Sequence, residues 1–169
     1  MRLRPATADD IPLLKSWDEK PHVITAGGGD DWYDWDNEVP READWGALLI
    51  AEEDGRPVGV MEICDPAREP SHYWGDVEDN LRAIDIWIGE ESDLGRGLGT
   101  QMMNLAFDRC FTDTNVVAIL IDPLESNADA RRFYERLGFQ FVERRRFGED
   151  DCAVYRLDRT VWEALAGGA

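Results

Sequence analysis

Between residues 81 and 121 the chain reads LRAIDIWIG, then the glycine-rich turn DLGRGLGT, then an amphipathic stretch, then the apolar run VVAILI. This order constrains the fold more than any other part of the sequence. In LRAIDIWIG, alternation puts Ile84, Ile86 and Ile88 on one face and Leu81, Ala83, Asp85 and Trp87 on the other, which is the two-residue period of a strand. Asp85 thus opposes an isoleucine face. The glycine turn leads into a helix predicted over about 99–111, where Met102, Ala106 and Cys110 recur four apart. VVAILI carries no polar side chain, as expected of a strand covered on both faces.

The flanking sequence extends this unit. Leu3-Arg4 reads as a short strand, and Thr7-Ala8-Asp9-Asp10 has the spacing of a capping box in its acid variant. A helix over about 8–18 follows, with Ile11, Leu14 and Trp17 at helical intervals. From Pro21 to Trp45 the pattern is irregular around GGGDDWYDWD, which reads as a loop whose tryptophans argue against disorder. Ala47–Glu52, the Asp54-Gly55 turn and Val58–Cys64 form a hairpin signal. Downstream, a helix over about 127–137 stops at Gly138, and strands run through Phe139–Arg146 and Cys152–Leu157. The order β-α-β-β-β-α-β-α-β-β implies an α/β domain with a mixed sheet and helices on both faces. At 169 residues the whole chain, 1–169, fits one domain.

Charge narrows the partners. The 36 acidic and 18 basic residues leave a net charge of −18, which repels nucleic acid and anionic lipid. Residues 30–54 hold ten acidic side chains and one basic one, whereas residues 129–159 hold eight basic and seven acidic. Such asymmetry suits different ligands at the two ends, although a generally acidic surface that keeps the protein soluble explains it too. The first residues lack an apolar targeting segment, and no stretch approaches the roughly 18 apolar residues of a membrane span. Cys64, Cys110 and Cys152 are too scattered for a disulfide or metal pattern, so a reducing cytoplasm is the expected location. His22 and His72 have no metal-ligand spacing around them, and no metal is expected. Arg144-Arg145-Arg146 reads as a solvated strand edge.

At Leu94-Gly95-Arg96-Gly97-Leu98-Gly99-Thr100, a strand-to-helix turn, glycines let the backbone approach a phosphate and free helix N–H groups point at it. Glycines also make plain turns, and the GxGxxG spacing of a dinucleotide site is missing. The segment IDPLESNADARRFYERLGF adds an apolar strand, a Ser-Asn helix start, a tyrosine and Gly-Phe. Together these resemble the acetyl-coenzyme A site of the GNAT superfamily, over roughly residues 80–157 and more loosely before them. The resemblance implies a mostly antiparallel central sheet of six to seven strands, with the coenzyme on a core over 81–157 and the acceptor on 17–80. It implies that Leu94 to Thr100 and the nearby β residues Trp87 and Ile88 hold the coenzyme, that Asn127 contacts its arm, and that Tyr134 lies by its sulfur. Leu94 stands where the family pattern has Gln or Arg, so one side-chain contact to phosphate is lost.

More narrowly, Ala83-Ile84-Asp85, DLGRGLGT, Asp122-Pro123, Ser126-Asn127 and Tyr134 resemble the aminoglycoside 6′-N-acetyltransferases. That likeness implies that Asp85 and Asp122 serve an amine and that Trp32, Trp35 and Trp74 shape its pocket. Packing under a long loop explains the tryptophans equally well. Asp85 also fits an aspartate satisfied by backbone donors, Asp122 a cap of the following turn, and Tyr134 a core-filling residue.

The chemistry requires that a substrate ammonium lose its proton before nitrogen attacks a thioester. An aspartate near pKa 3.9 facing an amine near 10 lies about 6 units away, or on the order of 8 kcal/mol, so Asp85 is expected to orient and desolvate the amine unless burial raises it. Tyr134 is expected to hydrogen-bond the departing thiolate, and a backbone N–H near Trp87 to receive the developing oxyanion. The leading expectation is acetyl transfer to an aminoglycoside-like polycation by a monomer or homodimer. A polyamine, siderophore-precursor or peptide acetyltransferase, or a coenzyme-binding sensor, are the rivals.

Overall fold

A computed structural model describes residues 1–27 and 33–168. It contains the strands β1 (Arg2–Pro5), β2 (Gly46–Glu53), β3 (Arg56–Cys64), β4 (Leu81–Ile88), β5 (Ala118–Ile121), β6 (Gln140–Phe147) and β7 (Asp150–Asp158). Among the described residues the α-helices are α1 (Ile11–Asp18), α2 (Pro21–Gly27), α3 (Trp35–Glu38), α4 (Leu98–Thr112), α5 (Ala128–Arg136) and α6 (Arg159–Gly167). The seven strands form one sheet in the order β1-β2-β3-β4-β5-β7-β6. Every neighbouring pair is antiparallel except β4 with β5. This is the expected mixed, mostly antiparallel sheet.

Local chemistry accounts for the elements. At the β2–β3 hairpin, Asp54 (φ 52°) and Gly55 (φ 80°) are both left-handed, as a tight two-residue turn demands. The Asp10 carboxylate accepts from the Thr7 amide at 2.8 Å, closing the expected cap before α1. All four residues of β5 are buried, which its apolar run requires, and each large side chain so buried contributes about 1.5–3 kcal/mol.

Alternation along β4 splits the core. Ile84, with Ile86 and Ile88 beside it, packs under Met102, Ala106 and Cys110 of α4 and Tyr134 of α5. On the other face, Leu81 and Ala83 join Trp74, Phe147 and Val154, while Trp87 packs with Leu14, Trp17 and Trp35. Gly89 follows β4 because Trp17 lies on it: a Cβ there would sit 1.9 Å from the indole.

The structure departs from expectation in two places. The stretch 21–45, read as irregular, contains the short helices α2 and α3; neither is long enough to display a helical apolar period. α6 went unpredicted, and its Trp162 stacks on Phe111 of α4 at 4.7 Å, a contact distant in sequence. β6 does lie at the sheet edge. Its Arg144 pairs with Glu125 and its Arg146 with Glu149, while the Arg145 guanidinium sits 4.8 Å over the Phe147 ring.

Candidate active site

β4 and β5 share three register pairs, Leu81 with Ala118, Arg82 with Ile119 and Ala83 with Leu120, although β4 runs on to Ile88. The two strands therefore separate beyond Ala83. The Asn80 carbonyl accepts from the Val117 amide on the β5 side, at 2.9 Å. The Trp87 carbonyl faces β3, where a Cβ on Gly59 would come within 2.6 Å of it. Main-chain groups of successive strand residues point to opposite edges, so Ile84, Ile86 and Ile88 turn theirs into the gap. His22 of α2 lies with Nε2 3.0 Å from the Ile88 carbonyl oxygen and so ties α2 to the far end of β4. Trp87 itself pairs with Val60 of β3, so the backbone N–H groups near Trp87 that turn toward the gap are those of Ile86 and Ile88.

The glycine bend sits between β4 and α4. Gly95 (φ 71°) and Gly97 (φ 78°) are left-handed, and a Cβ at either would meet nothing within 4 Å, so their outer side is open. Intrahelical bonding of α4 starts with the Gln101 amide on the Gly97 carbonyl at 3.2 Å, which leaves the amides of Leu98, Gly99 and Thr100 for a ligand or solvent. Side chains here play mixed parts. Leu98 is buried in the core, Leu94 is exposed, and a Cβ on Gly99 would come within 3.3 Å of Phe133, so this glycine lets α5 approach α4. Arg96 donates to Asp93 and to Glu53, while Arg56 grips the same Asp93 at 2.7 and 2.9 Å. The 3% exposed Asp93 thus pins the bend to the start of β3. Asn127 caps α5, its Oδ1 accepting from the Ala130 amide at 3.0 Å. Its amide nitrogen is what remains for a coenzyme arm.

Two carboxylates stand where the strands diverge. The Asp85 side chain is reached by solvent, yet protein crowds it enough that desolvation is the largest influence on its titration. Both hold for a group at the floor of an open cleft. Desolvation and the neighbouring Glu62 charge push Asp85 up to about 6. Glu62 lies beside it across the β3–β4 register. Asp122, just past β5, is raised to about 8 by desolvation and by Asp85. For both the shift is upward because a crowded site and a neighbouring negative charge, Glu62 for Asp85 and Asp85 for Asp122, resist ionisation. Tyr134 is buried and its phenol is raised by burial, Asp85 and Asp122, so it remains a proton-bearing donor.

Two tyrosines absent from the sequence reading complete the cluster. The Tyr33 hydroxyl lies 2.7 Å from Glu62 Oε2 and 3.0 Å from Asp85 Oδ2, and the Tyr73 hydroxyl donates to Asp122 Oδ2 at 2.6 Å. The expected tryptophans stand behind them. Trp35, 1% exposed, stacks on Tyr33 at 4.9 Å and donates its Nε1–H to Asp18 at 2.6 Å. Trp74, 5% exposed, packs edge-on against Tyr73 and Phe147. Neither indole offers a face to a ligand, so in place of their expected part in the pocket each backs a tyrosine whose hydroxyl meets a carboxylate. Trp32 lies outside the described residues. The sequence signal for the tyrosines was their adjacency to these tryptophans, but only the tertiary fold shows which aromatic ring faces the carboxylates.

Between α2, the segment after β5 and the start of β7 runs a groove of about 620 Å³ lined by Ile24, Thr25, Leu124, Glu125, Ser126, Asp150 and Asp151. Among the described residues no cluster of three or more His, Cys, Asp or Glu side chains is placed to hold a metal ion, and no helix is long and apolar enough to cross a membrane. A splayed β4–β5 pair, open main-chain amides along one side and a positive-φ glycine bend at a helix start fit the anionic, amide-bearing coenzyme A arm.

Comparison with known proteins agrees. The family model "Acetyltransferase (GNAT) domain" matches residues 6–147. Aminoglycoside N(6′)-acetyltransferase type 1 of Klebsiella pneumoniae is 29% identical over 152 residues, covering 82% of this chain and 73% of that protein. Lysine N-acyltransferase MbtK of Mycolicibacterium paratuberculosis is 25% identical over 167 residues, covering 92% of this chain and 72% of that one. The crystal structure of aminoglycoside acetyltransferase AAC(6′)-Ib in complex with coenzyme A and kanamycin superposes with a TM-score of 0.86 at 24% identity, covering 97% of this chain and 98% of that one. The chain belongs to the GNAT acetyltransferase domain family and is an acetyl-coenzyme A-dependent N-acetyltransferase.

Proposed function

We propose that this enzyme acetylates a primary amine of a small polycation, an aminoglycoside at its 6′ position. The observation that carries the reading is the pair Asp85 and Asp122, each meeting a tyrosine hydroxyl, at the open end of the β4–β5 gap. Carboxylates at that place attract an ammonium, and phenol rings beside them receive its methylenes. The acidic groove side chains Glu125, Asp150 and Asp151 continue the same field outward, and aminoglycoside acetyltransferases stand among the relatives. A cytoplasmic location belongs to the same reading.

Acetyl-coenzyme A supplies an acetyl group activated as a thioester. The amides of Leu98, Gly99 and Thr100 and the bend at Gly95 to Gly97 hold its diphosphate, with Asn127 on the arm. The Ile86 and Ile88 amides, open toward the gap, are placed to stabilise negative charge on the acetyl oxygen. Asp85 and Asp122 orient the acceptor and take up its proton; their raised affinity for protons narrows the gap to the amine that an ordinary aspartate would face. Tyr134, its phenol raised above the ordinary value, donates a hydrogen bond to the leaving sulfur without giving up its proton fully.

The lysine N-acyltransferase relative favours a second reading, acylation of a lysine-type amine. Thiol release from acetyl-coenzyme A, followed over aminoglycosides, polyamines, lysine derivatives and peptides, separates the two. Turnover on 6′-amino aminoglycosides well above the other amines is expected; turnover confined to lysine derivatives would replace the first reading with the second.

A further inference from the structure

The contacts of Tyr33 contain a proton count. A phenol has one proton, and here its oxygen meets two carboxylates, Glu62 at 2.7 Å and Asp85 at 3.0 Å. Glu62 is held from its other side by Arg41, whose Nη2 donates to Oε1 at 2.8 Å, and its Oε2 accepts the phenol O–H on the shorter contact. The phenol oxygen then has only lone pairs left for Asp85. A 3.0 Å approach between those lone pairs and an ionised carboxylate is repulsive, whereas a protonated carboxyl donates to them.

We propose that Glu62, acting through Tyr33, is a positioning residue that makes Asp85 exchange one proton for the acceptor ammonium. Without a cation, at pH near 6 and below, Asp85 carries a proton and donates it to Tyr33. When the ammonium docks, its N–H groups take the place of that proton at Asp85, the carboxyl O–H bond breaks and the proton passes to solvent. Charge in the cleft is conserved by the exchange. The proposal rests on the reading of Asp85 as the amine site.

The surroundings match. Facing Asp85 are Glu62 and Cys64 from β3, Tyr33 ahead of α3, Asp122 beyond β5 and Tyr134 on α5, with Tyr73 and Cys152 farther out in the same field. Of the cations, Arg41 is engaged by Glu38 and Glu62, and Arg145 acts on Asp122. Neither guanidinium neutralises Asp85, which leaves the proton or the ammonium to do so. With the phenol as donor to Asp85, their hydrogen bond holds the carboxyl down against desolvation and the Glu62 charge, which both raise it. The Arg41 contact and the shorter distance to Glu62 argue for the reverse direction of donation.

Carboxyl-carbon NMR titration of Asp85 in the ligand-free full chain tests this directly. Replacing Tyr33 by Phe removes the acceptor of the Asp85 proton, so the midpoint moves down; an unmoved or raised midpoint overturns the proposal. Glu62→Gln also moves it down, since a like charge is lost and the phenol is freed to donate to Asp85. Kanamycin titrated into the coenzyme A-bound protein, in two buffers of different ionisation enthalpy at one pH near 6, then counts protons. More protons leave per kanamycin bound in the wild type than in Glu62→Gln, the difference cancelling the ligand's own ionisation; equal release overturns the exchange. If neither kanamycin nor the other aminoglycosides bind, the acceptor reading falls while the ligand-free titration still decides the proton assignment.

Discussion

The roles proposed for Tyr134 and the two raised aspartates can be told apart at the level of single side chains. Tyr134→Phe is expected to lower kcat by roughly 10²-fold, because one charge-directed hydrogen bond to the leaving group is lost. The acetyl-coenzyme A KM should hardly change, and steady-state kinetics in both substrates reads the split. The aspartates also bear on stability. Asp85 and Asp122 bind protons more tightly folded than unfolded, so their contribution is fully present below the unfolded carboxylate range and is lost as pH rises through about 6 and about 8. Thermal midpoints of the ligand-free protein should therefore fall, on account of this pair, as pH rises from the unfolded value of 3.8 through about 6 to about 8. Asp122→Asn should flatten the upper part of the fall. Asp10 and Asp93 act the other way, held down by their arginines, and their stabilisation is lost only at pH below the ordinary carboxylate range.

At the scale of elements, the bend between β4 and α4 and the contact of α1 with the end of β4 set the geometry. Gly97→Ala puts a side chain into open space but at φ 78°, a conformation that costs an L-residue roughly 1–2 kcal/mol. The expected outcome is a folded enzyme with a higher acetyl-coenzyme A KM, measured by kinetics and calorimetry. Gly89→Ala differs in kind, since its Cβ would overlap the Trp17 indole and separate α1 from the sheet. Loss of well over 1–3 kcal/mol is expected in denaturant unfolding. The bend, α4 and α5 were legible in the sequence because glycines and helical apolar spacing are local signals. α2, α3 and α6 were not: they are held by contacts such as His22 with Ile88 and Trp162 with Phe111, between residues far apart in the chain.

For the whole molecule, a net charge of −18 sets the two substrates against each other. Its field favours the proposed polycationic acceptor and opposes coenzyme A, and added salt screens both. Raising ionic strength from about 0.05 to 0.5 M should increase the acceptor KM several-fold while leaving unchanged or lowering that of acetyl-coenzyme A; kinetics at matched pH checks both signs. The sequence by itself determined the sheet, the glycine bend, Asp85 on the face away from the isoleucines, and the charge, since periodicity, turn chemistry and composition are written residue by residue. Only the tertiary structure decided which groups share the cleft. It turned Trp35 and Trp74 inward, brought Tyr33 to Glu62 and Asp85 and Tyr73 to Asp122, and turned the Ile86 and Ile88 amides, on either side of Trp87, toward the gap. The physical reason is that a side chain's partners follow from how the sheet is paired and where its strands part, and neither leaves a mark at a fixed spacing along the chain.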